Sequence, residues 1–184
     1  MSDVQARIAP FINKRFLITS AWWSERGGTI HKGLDISTGA NDPVYSIVEN
    51  GKVIQQWFNH ESMGNALVIK SQTNGIATLY MHMDSFTKNL NDTVRVGEQV
   101  GIEGTTGEST GIHLHVEMAD MTGQVNWNFN GLKSDYLDPT AFMGIPNVKG
   151  TWCIYDGQPT PPTPTSKKIS KFPWVLYARK LRNN

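Results

Sequence analysis

Cysteine is nearly absent from this sequence: Cys153 is the single one among 184 residues. One cysteine cannot form an intrachain disulfide, and it leaves no second thiolate for a metal site. Cys153 lies in a Trp-Cys-Ile run that suggests no partner, which favours a small buried hydrophobe over a nucleophile. Metal or catalytic chemistry in this chain therefore has to come from other side chains.

Long apolar runs are also missing. No run reaches the roughly 18 residues needed to span a bilayer, so we expect no transmembrane segment. Residues 1–10 lack the basic-then-apolar pattern of a secretion signal. If the protein acts outside a cell, we expect another agent to deliver it, or the chain to be a domain of a longer protein.

Acidic residues are missing from residues 167–184, which carry six Lys and Arg. Residues 1–166 hold the other 11 Lys and Arg and all 16 Asp and Glu, so the net charge of +1 combines an acidic body with a basic tail. The acidic body and the lack of a reading motif argue against nucleic-acid binding. The tail also contains aromatic residues, and one interpretation is docking to a partner chain or to an anionic polymer or lipid headgroups. The alternative is a solvated end that packs an aromatic or two on the domain.

A stretch rich in Pro and Thr precedes the tail. Residues 157–166 have the composition of an extended, semi-rigid linker. We therefore divide the chain into a domain at residues 1–156, a linker at 157–166 and a basic aromatic tail at 167–184.

Helical periodicity is scarce. Short apolar or alternating runs recur between turn residues, as in the run 66–70, the turn 73–75 and the run 76–83. This pattern predicts a mostly β domain built on an antiparallel β-sheet. We expect few short helices, one over residues 4–12 and a helical turn at 85–91.

A hairpin signal stands at Asn50-Gly51. The flanking runs at residues 44–48 and 52–58 are therefore predicted to pair as neighbouring antiparallel strands.

Histidines are few but concentrated. His113 and His115 are two residues apart in an alternating run, so on a strand their side chains point to the same face, roughly 6.5 Å apart. His60 lies in a predicted loop and is assigned a structural role. The five histidines are His31, His60, His82, His113 and His115.

Two of the remaining candidates suggest a metal site. His31 and Asp35 are four residues apart, about 13 Å when extended, so both reach one ion only if the chain bends. Gly33 stands where a bend is cheapest. One nitrogen from His113 or His115 would complete a two-His, one-Asp set with a vacant fourth position, as a hydrolytic zinc site requires. The alternative is that each histidine is a hydrogen-bonded structural residue and that Asp35 only makes a turn.

Hydrolysis of a peptide also needs groups that move protons. Histidine titrates in the right range to take a proton from water and to give one to the leaving amine. His82 and whichever of His113 and His115 is not a ligand are the candidates. Asp84 and Glu117 are candidate acceptors that would orient imidazole N–H groups.

Three segments carry a family resemblance. Residues 31–35 read His-Lys-Gly-Leu-Asp, residues 79–82 read Leu-Tyr-Met-His, and residues 109–117 read Ser-Thr-Gly-Ile-His-Leu-His-Val-Glu. In this order they resemble the motifs of the lysostaphin-type (LytM-type) zinc endopeptidases of bacterial cell walls. The resemblance covers about residues 16–143, and its motifs are highly specific.

The resemblance implies a fold and a set of site residues. The implied fold is a mostly antiparallel β-sheet that lines a groove, with one zinc ion per chain on its floor. His31, Asp35 and His115 would be the zinc ligands. His113 would be the catalytic histidine beside the metal, and His82 its partner.

The implied substrate is bacterial peptidoglycan, cut in its stem peptide or its cross-bridge, so the chain would act at the bacterial cell wall. Tyr80 is a candidate contact to that substrate. The alternative is a non-catalytic wall-binding or regulatory module of the same fold. A wall-cutting domain without a secretion signal is compatible with a phage tail-associated or lysis enzyme, and the basic tail would then dock to the phage tail or to another partner chain.

Two features depart from the family pattern. Trp22-Trp23 stands before Arg26 where smaller residues are usual, and residues 119–136 form an excursion after the last motif. The tryptophans predict a bulkier groove wall, and the excursion adds material near the end of the catalytic strand. Both should alter which cross-bridge fits, and neither affects an implied ligand.

Overall fold

The computed structural model describes residues 3–129 and 132–157. The predicted linker beyond residue 157 and the basic tail at 167–184 lie outside the described residues. Within the described ranges, none of the helices has the length and hydropathy to cross a bilayer.

Strands account for most of the regular structure in the described residues. In chain order they are β1 (Val4–Gln5), β2 (Lys14–Ser20), β3 (Ser24–Arg26), β4 (Thr29–His31), β5 (Leu34–Ser37), β6 (Pro43–Tyr45), β7 (Gly51–His60), β8 (Gly64–Ser71), β9 (Ile76–Met83), β10 (Ser85–Phe86), β11 (Thr93–Val94), β12 (Gln99–Ile102), β13 (Leu114–Asp120) and β14 (Trp152–Tyr155).

Nine of these strands form one sheet, in the order β1-β14-β2-β5-β13-β9-β8-β7-β11. The others form a three-stranded sheet, β10-β12-β6, and a two-stranded ribbon, β3-β4. Every neighbouring pair is antiparallel except β1 and β14. The prediction of a mostly β fold built on an antiparallel sheet is confirmed.

The helices of the described chain are short, as predicted. A 3₁₀ turn covers Lys133–Asp135, and α1 covers Pro139–Met143. The side chain of Asp138 accepts hydrogen bonds from two backbone N–H groups in the first turn of α1. Gly144 ends α1 in the left-handed conformation, with φ at 70°.

Both of the specific helical predictions are wrong. Residues 4–12 form β1, which pairs with β14, and then bends that bury Ala9 and Phe11. Residues 85–91 form β10, which pairs with β12, and then a turn with Asn91 at φ 74°. A short helix is marginal on its own, whereas the edge of a neighbouring sheet supplies backbone partners.

The turn at Asn50-Gly51 is present, but the predicted hairpin across it is wrong. Asn50 has a φ of 44°, as a tight turn requires. β6 pairs with β12 in the three-stranded sheet, whereas β7 pairs with β8 and β11. Asn50-Gly51 therefore connects two sheets.

Side chains alternate between the two faces of the nine-stranded sheet. One face, which includes Leu114, packs into the main core with Val44 and Val100 of the three-stranded sheet. Because neighbours alternate along β13, His115 and Glu117 point to the opposite face. That face also carries a smaller apolar cluster, formed by Ala66, Val68, Ala77, Leu79, Ala119 and Met121.

Cys153 lies in the main core, as predicted. Its side chain is fully buried in β14, and burial raises the pKa of the thiol to about 11. The thiol is therefore protonated at neutral pH and acts as an apolar group.

Glu103 is a fully buried carboxylic acid directly after β12. Its side chain accepts a hydrogen bond of 2.6 Å from the Thr38 hydroxyl and longer ones from the Thr38 N–H. Burial raises the pKa of Glu103 to about 7, although these hydrogen bonds oppose the shift. The folded state therefore keeps a proton that the unfolded chain releases.

We predict that Glu103 makes the fold less stable as the pH rises from 4.5, its ordinary pKa, to about 7. The folded state binds more protons than the unfolded state across this window, so the free energy of unfolding falls there and levels off above it. Glu103→Gln cannot titrate, and it should lack this part of the fall when urea denaturation is compared at pH 5 and pH 8.

The exposed Glu61 supplies a matched control, because Glu61→Gln should keep the pH dependence of the wild type. An unchanged fall in the Glu103→Gln protein would show that Glu103 is not its source.

Candidate metal centre

Three strands bring the predicted ligands together. His31 ends β4, Asp35 lies in β5, and His115 lies in β13, where it is the register partner of Asp35. The predicted bend at Gly33 is present, and β4 and β5 belong to different sheets. A Cβ at position 33 would overlap the His115 imidazole, so glycine is also needed for the close approach of chain and ring.

The three candidate ligand atoms converge in a small buried volume. Asp35 Oδ1 lies 3.0 Å from His31 Nε2 and 2.8 Å from His115 Nδ1, and the two nitrogens are 3.0 Å apart. Donors that bind one zinc ion tetrahedrally at 2.0–2.2 Å lie roughly 3.3 Å from one another. Small shifts therefore separate this arrangement from a coordination shell, and the group can hold a metal ion.

Contacts on the outer side of each imidazole determine which nitrogen faces Asp35. His31 Nδ1 lies 3.1 Å from the carbonyl oxygen of Ala21, and His115 Nε2 lies 3.2 Å from Glu117 Oε1. Because a carbonyl and a carboxylate both accept, we assign these two nitrogens as N–H donors. The inner nitrogens then present lone pairs, as in metal-binding histidines.

Two lone pairs and a carboxylate oxygen at such distances repel one another unless a positive charge lies among them. When no metal ion is bound, a proton can supply that charge: hydrogen bonds from His115 and His31 then hold the pKa of Asp35 far below the usual range, although burial opposes its ionisation. Burial would lower the pKa of His115, but Asp35 and Glu117 raise it to about 9. The centre therefore attracts a cation, and two imidazoles with one carboxylate form a donor set that suits zinc.

Arg26 binds the other oxygen of the same carboxylate. Its Nη2 lies 2.5 Å from Asp35 Oδ2, which leaves Oδ1 to the converging imidazoles. Sequence reasoning missed this pair, because its members are nine residues apart and no strand or helix period links them.

The other two candidate histidines lie beside this centre. His113 Nε2 is 3.8 Å from Asp35 Oδ1, and the ring centroids of His82 and His113 are 4.7 Å apart. The carbonyl oxygen of Gly111 lies 2.8 Å from His113 Nδ1, and that of Thr106 lies 2.9 Å from His82 Nδ1. By the same reasoning, both imidazoles carry the proton on Nδ1 and leave Nε2 free as an acceptor.

Tyr80 does not belong to this site, so its predicted contact with the substrate is wrong. Its side chain is fully buried in the main core, and its hydroxyl accepts a hydrogen bond from the Ile47 N–H at 3.1 Å. Met81 and His82 both line the groove above the centre, whereas Tyr80 and Met83 both face the core. A bulge in β9 thus breaks the alternation that would place Tyr80 and His82 on one face.

The remaining sequence predictions at the site had mixed outcomes. Glu117 contacts a site imidazole, as expected. Among the described residues, no imidazole forms a hydrogen bond with the exposed Asp84 carboxylate. His60 is the last residue of β7 and does not lie in a loop, and its Nδ1 accepts hydrogen bonds of 3.3 Å from two backbone N–H groups of the turn that follows, which agrees with the expected structural role.

An open groove with a volume of about 970 Å³ runs over the centre. Besides the site residues, it is lined by side chains such as Lys32, Met63, Met81, Ser109, Thr110 and Lys149. The rings of Trp22 and Trp23 contact each other at an interplanar angle of 55°, and Trp23 contacts Tyr136 of the excursion with ring centroids 5.6 Å apart. These aromatic residues form a cluster beside the groove, and they are not among the residues that line it.

Comparison with known proteins identifies relatives over the part of the chain that builds the site. Residues 29–127, more than half of the chain, match peptidase family M23. Two curated relatives are 38% identical: the DD-carboxypeptidase/endopeptidase Mpg of Neisseria meningitidis serogroup B over 95 residues, and the peptidoglycan DD-endopeptidase ShyB of Vibrio cholerae over 88 residues. They cover 52% and 48% of this chain, which spans only 21% and 20% of their length.

A solved structure supports the same assignment. The catalytic domain of the antimicrobial peptidase lysostaphin from Staphylococcus simulans is similar with a TM-score of 0.55 and 26% identity. The similarity covers 72% of this chain and 92% of that domain. The chain is therefore homologous to the lysostaphin-type endopeptidases and belongs to peptidase family M23.

Proposed function

We propose that this chain is a zinc-dependent endopeptidase that hydrolyses peptide bonds in the stem or cross-bridge of bacterial peptidoglycan. One observation carries the proposal: two inward-facing imidazole nitrogens and a carboxylate oxygen converge below an open groove, with two further imidazoles beside them. The names of the relatives support the substrate class, since ShyB is a peptidoglycan DD-endopeptidase and lysostaphin an antimicrobial peptidase.

His31 Nε2, Asp35 Oδ1 and His115 Nδ1 would hold the zinc ion, one per chain. When bound, zinc supplies a Lewis acid that lowers the pKa of water and polarises a peptide carbonyl. The outer hydrogen bonds of the two ligand imidazoles hold their rings in the required orientation. Arg26 holds the carboxylate by its second oxygen, so that a single oxygen is presented.

His82 and His113 are the proton-transfer groups of the proposed reaction. Burial lowers the pKa of His82 to about 4, so its imidazole is neutral at pH 7 and Nε2 can accept a proton. His113 Nε2 also faces the centre as an acceptor. The imidazole that takes the proton of the attacking water can return it to the leaving amine, and the other one, when protonated, stabilises the negative charge on the carbonyl oxygen.

Digestion of purified peptidoglycan tests this function. Soluble fragments with new amino and carboxyl termini, identified by mass spectrometry, would support it and define the bond that is cut. Binding to the wall without new termini would favour the alternative, a non-catalytic wall-binding or regulatory module.

Delivery to the wall is a separate proposal. We propose that the protein is a phage tail-associated or lysis enzyme whose basic tail docks to a partner chain. Detection of the chain in purified virions would support this, and its presence only in bacterial secretions would reject it. Neither result affects the proposed chemistry.

We predict that His113→Ala abolishes hydrolysis, with a loss of at least about 100-fold in turnover, because a proton-transfer group contributes on this scale. The variant should keep its zinc, since His113 is not among the three converging ligands. Zinc content by elemental analysis and release of wall fragments are the two measurements.

His115→Ala is the matched comparison in the same strand, and it should lose the metal and the activity together. His60→Ala, a histidine outside the groove, should behave as the wild type. Loss of zinc from His113→Ala, with retention in His115→Ala, would show that the roles of the pair are reversed.

We also predict that chelation stops hydrolysis and that added zinc restores it. Since the ion would bind the folded state, its removal should lower the melting temperature. Free zinc at about 100 times its dissociation constant should raise the free energy of unfolding by about 2.7 kcal/mol. Calorimetry of the chelated and reloaded protein measures this. Full activity in a protein shown to contain no metal would reject the zinc dependence.

A further inference from the structure

His82 has a backbone conformation that is uncommon for a residue other than glycine. Its φ is 63°, in the left-handed region, although it lies inside strand β9. A non-glycine residue remains in such a conformation only when its surroundings hold it there. The groups that hold His82 therefore also determine where its imidazole points.

A bulge in β9 accompanies this conformation. Asn65 of β8 pairs with Met83, and the next register pair is Leu67 with Tyr80. Two residues of β9 therefore oppose one residue of β8, and His82 is the second of the two. Bulges near functional sites re-aim a side chain, and this one brings His82 to the groove face.

The Thr106 hydroxyl bridges the two strands at the bulge. It accepts a hydrogen bond from the Asn65 N–H at 2.9 Å and donates one to the Met83 carbonyl oxygen at 2.8 Å. Within a regular ladder, backbone groups of paired strands bond to each other directly. The hydroxyl thus satisfies one backbone group of each strand at the bulge.

The backbone of Thr106 contacts His82 as well. Its carbonyl oxygen accepts the hydrogen bond from His82 Nδ1 at 2.9 Å, and its N–H donates to the His82 carbonyl at 3.4 Å. Gly64 makes room for this contact, because a Cβ there would overlap the backbone of Thr106. Thr106 therefore forms hydrogen bonds both to the strands at the bulge and to the His82 imidazole.

We propose that Thr106 is a positioning residue of the endopeptidase. Its hydroxyl keeps the β9 bulge open so that His82 faces the groove, and its carbonyl fixes the imidazole with Nε2 free. Without the hydroxyl, the Asn65 N–H and the Met83 carbonyl lose the partner that they share, and a shift of β9 that lets them pair directly would turn His82 away from the groove. The inference deepens the proposed function and rests on it.

Two substitutions isolate the hydroxyl. Thr106→Val keeps the volume and the carbonyl, and Thr106→Ser keeps the hydroxyl. On a peptide that carries the bond identified by mass spectrometry, Thr106→Val should lower kcat by about 10- to 100-fold, within the contribution of one proton-transfer group. KM should stay within about twofold and the zinc content unchanged, because the groove and the ligands are intact. Thr106→Ser should recover most of kcat.

Thr87→Val is the matched control. It removes a hydroxyl that also donates to a backbone carbonyl, that of Gln99 at 2.9 Å, but at an exposed position outside the groove lining. It should keep the kcat of the wild type. A Thr106→Val protein that melts at a lower temperature but keeps its kcat would show that Thr106 is only structural and would overturn the proposal.

NMR of 15N-labelled histidine adds a readout that does not depend on hydrolysis. Wild-type protein should show a protected His82 Nδ1–H with coupling across the hydrogen bond to the Thr106 carbonyl, and Thr106→Val should lose it. If Thr106→Val does not fold, absence of this signal in folded wild type or in Thr106→Ser would equally overturn the proposal. A wild type that cuts no peptidoglycan would reject the proposed function, while the NMR comparison would still decide the positioning of His82.

Discussion

Four imidazoles around one buried carboxylate impose the constraint on which the rest of the structure depends. Each ring must present one nitrogen inward, so its other nitrogen needs an acceptor on the outer side. These acceptors are the carbonyl oxygens of Ala21, Thr106 and Gly111 and the carboxylate of Glu117. Three of the four are backbone groups, whose positions depend on turns and on strand pairing. The fold therefore acts on the chemistry mainly through the orientation of the rings.

The same sheet geometry builds the core and the site. β13 lies between β5 and β9, so His115 has Asp35 on one side and the strand of His82 on the other. Alternation along β13 sends Leu114 and Val116 into the main core and leaves His115 on the groove face. A shift of the register by one residue would exchange the core face and the groove face of β13, and it would disrupt both the core and the site. Stability of the sheet and integrity of the site are consequently hard to separate by mutations in β13.

Sequence reasoning reached the features that depend on local period and missed those that depend on tertiary pairing. The side chains of His113 and His115 could be predicted to face the same side, because residues two apart on a strand point to the same face. The family resemblance followed from the order of the three motifs. The error at Tyr80 arose because a bulge is decided by the neighbouring strand and by Thr106, not by the period of β9. The β6 hairpin failed for the same reason, since its partner β12 lies far along the chain. Backbone acceptors leave no residue signature at all.

Two unfavourable features lie on the groove face: the converging lone pairs and the left-handed backbone at His82. Different interactions stabilise them. The lone pairs of His31 and His115 converge on Asp35, and any cation placed among them relieves that repulsion. The left-handed backbone at His82 gains nothing from a cation, because hydrogen bonds to Thr106 hold it. The converging ligand atoms could therefore hold a removable ion, whereas the bulge is part of the fold. The proposed metal binding and proton transfer would therefore have separate physical origins, although both would use the groove face.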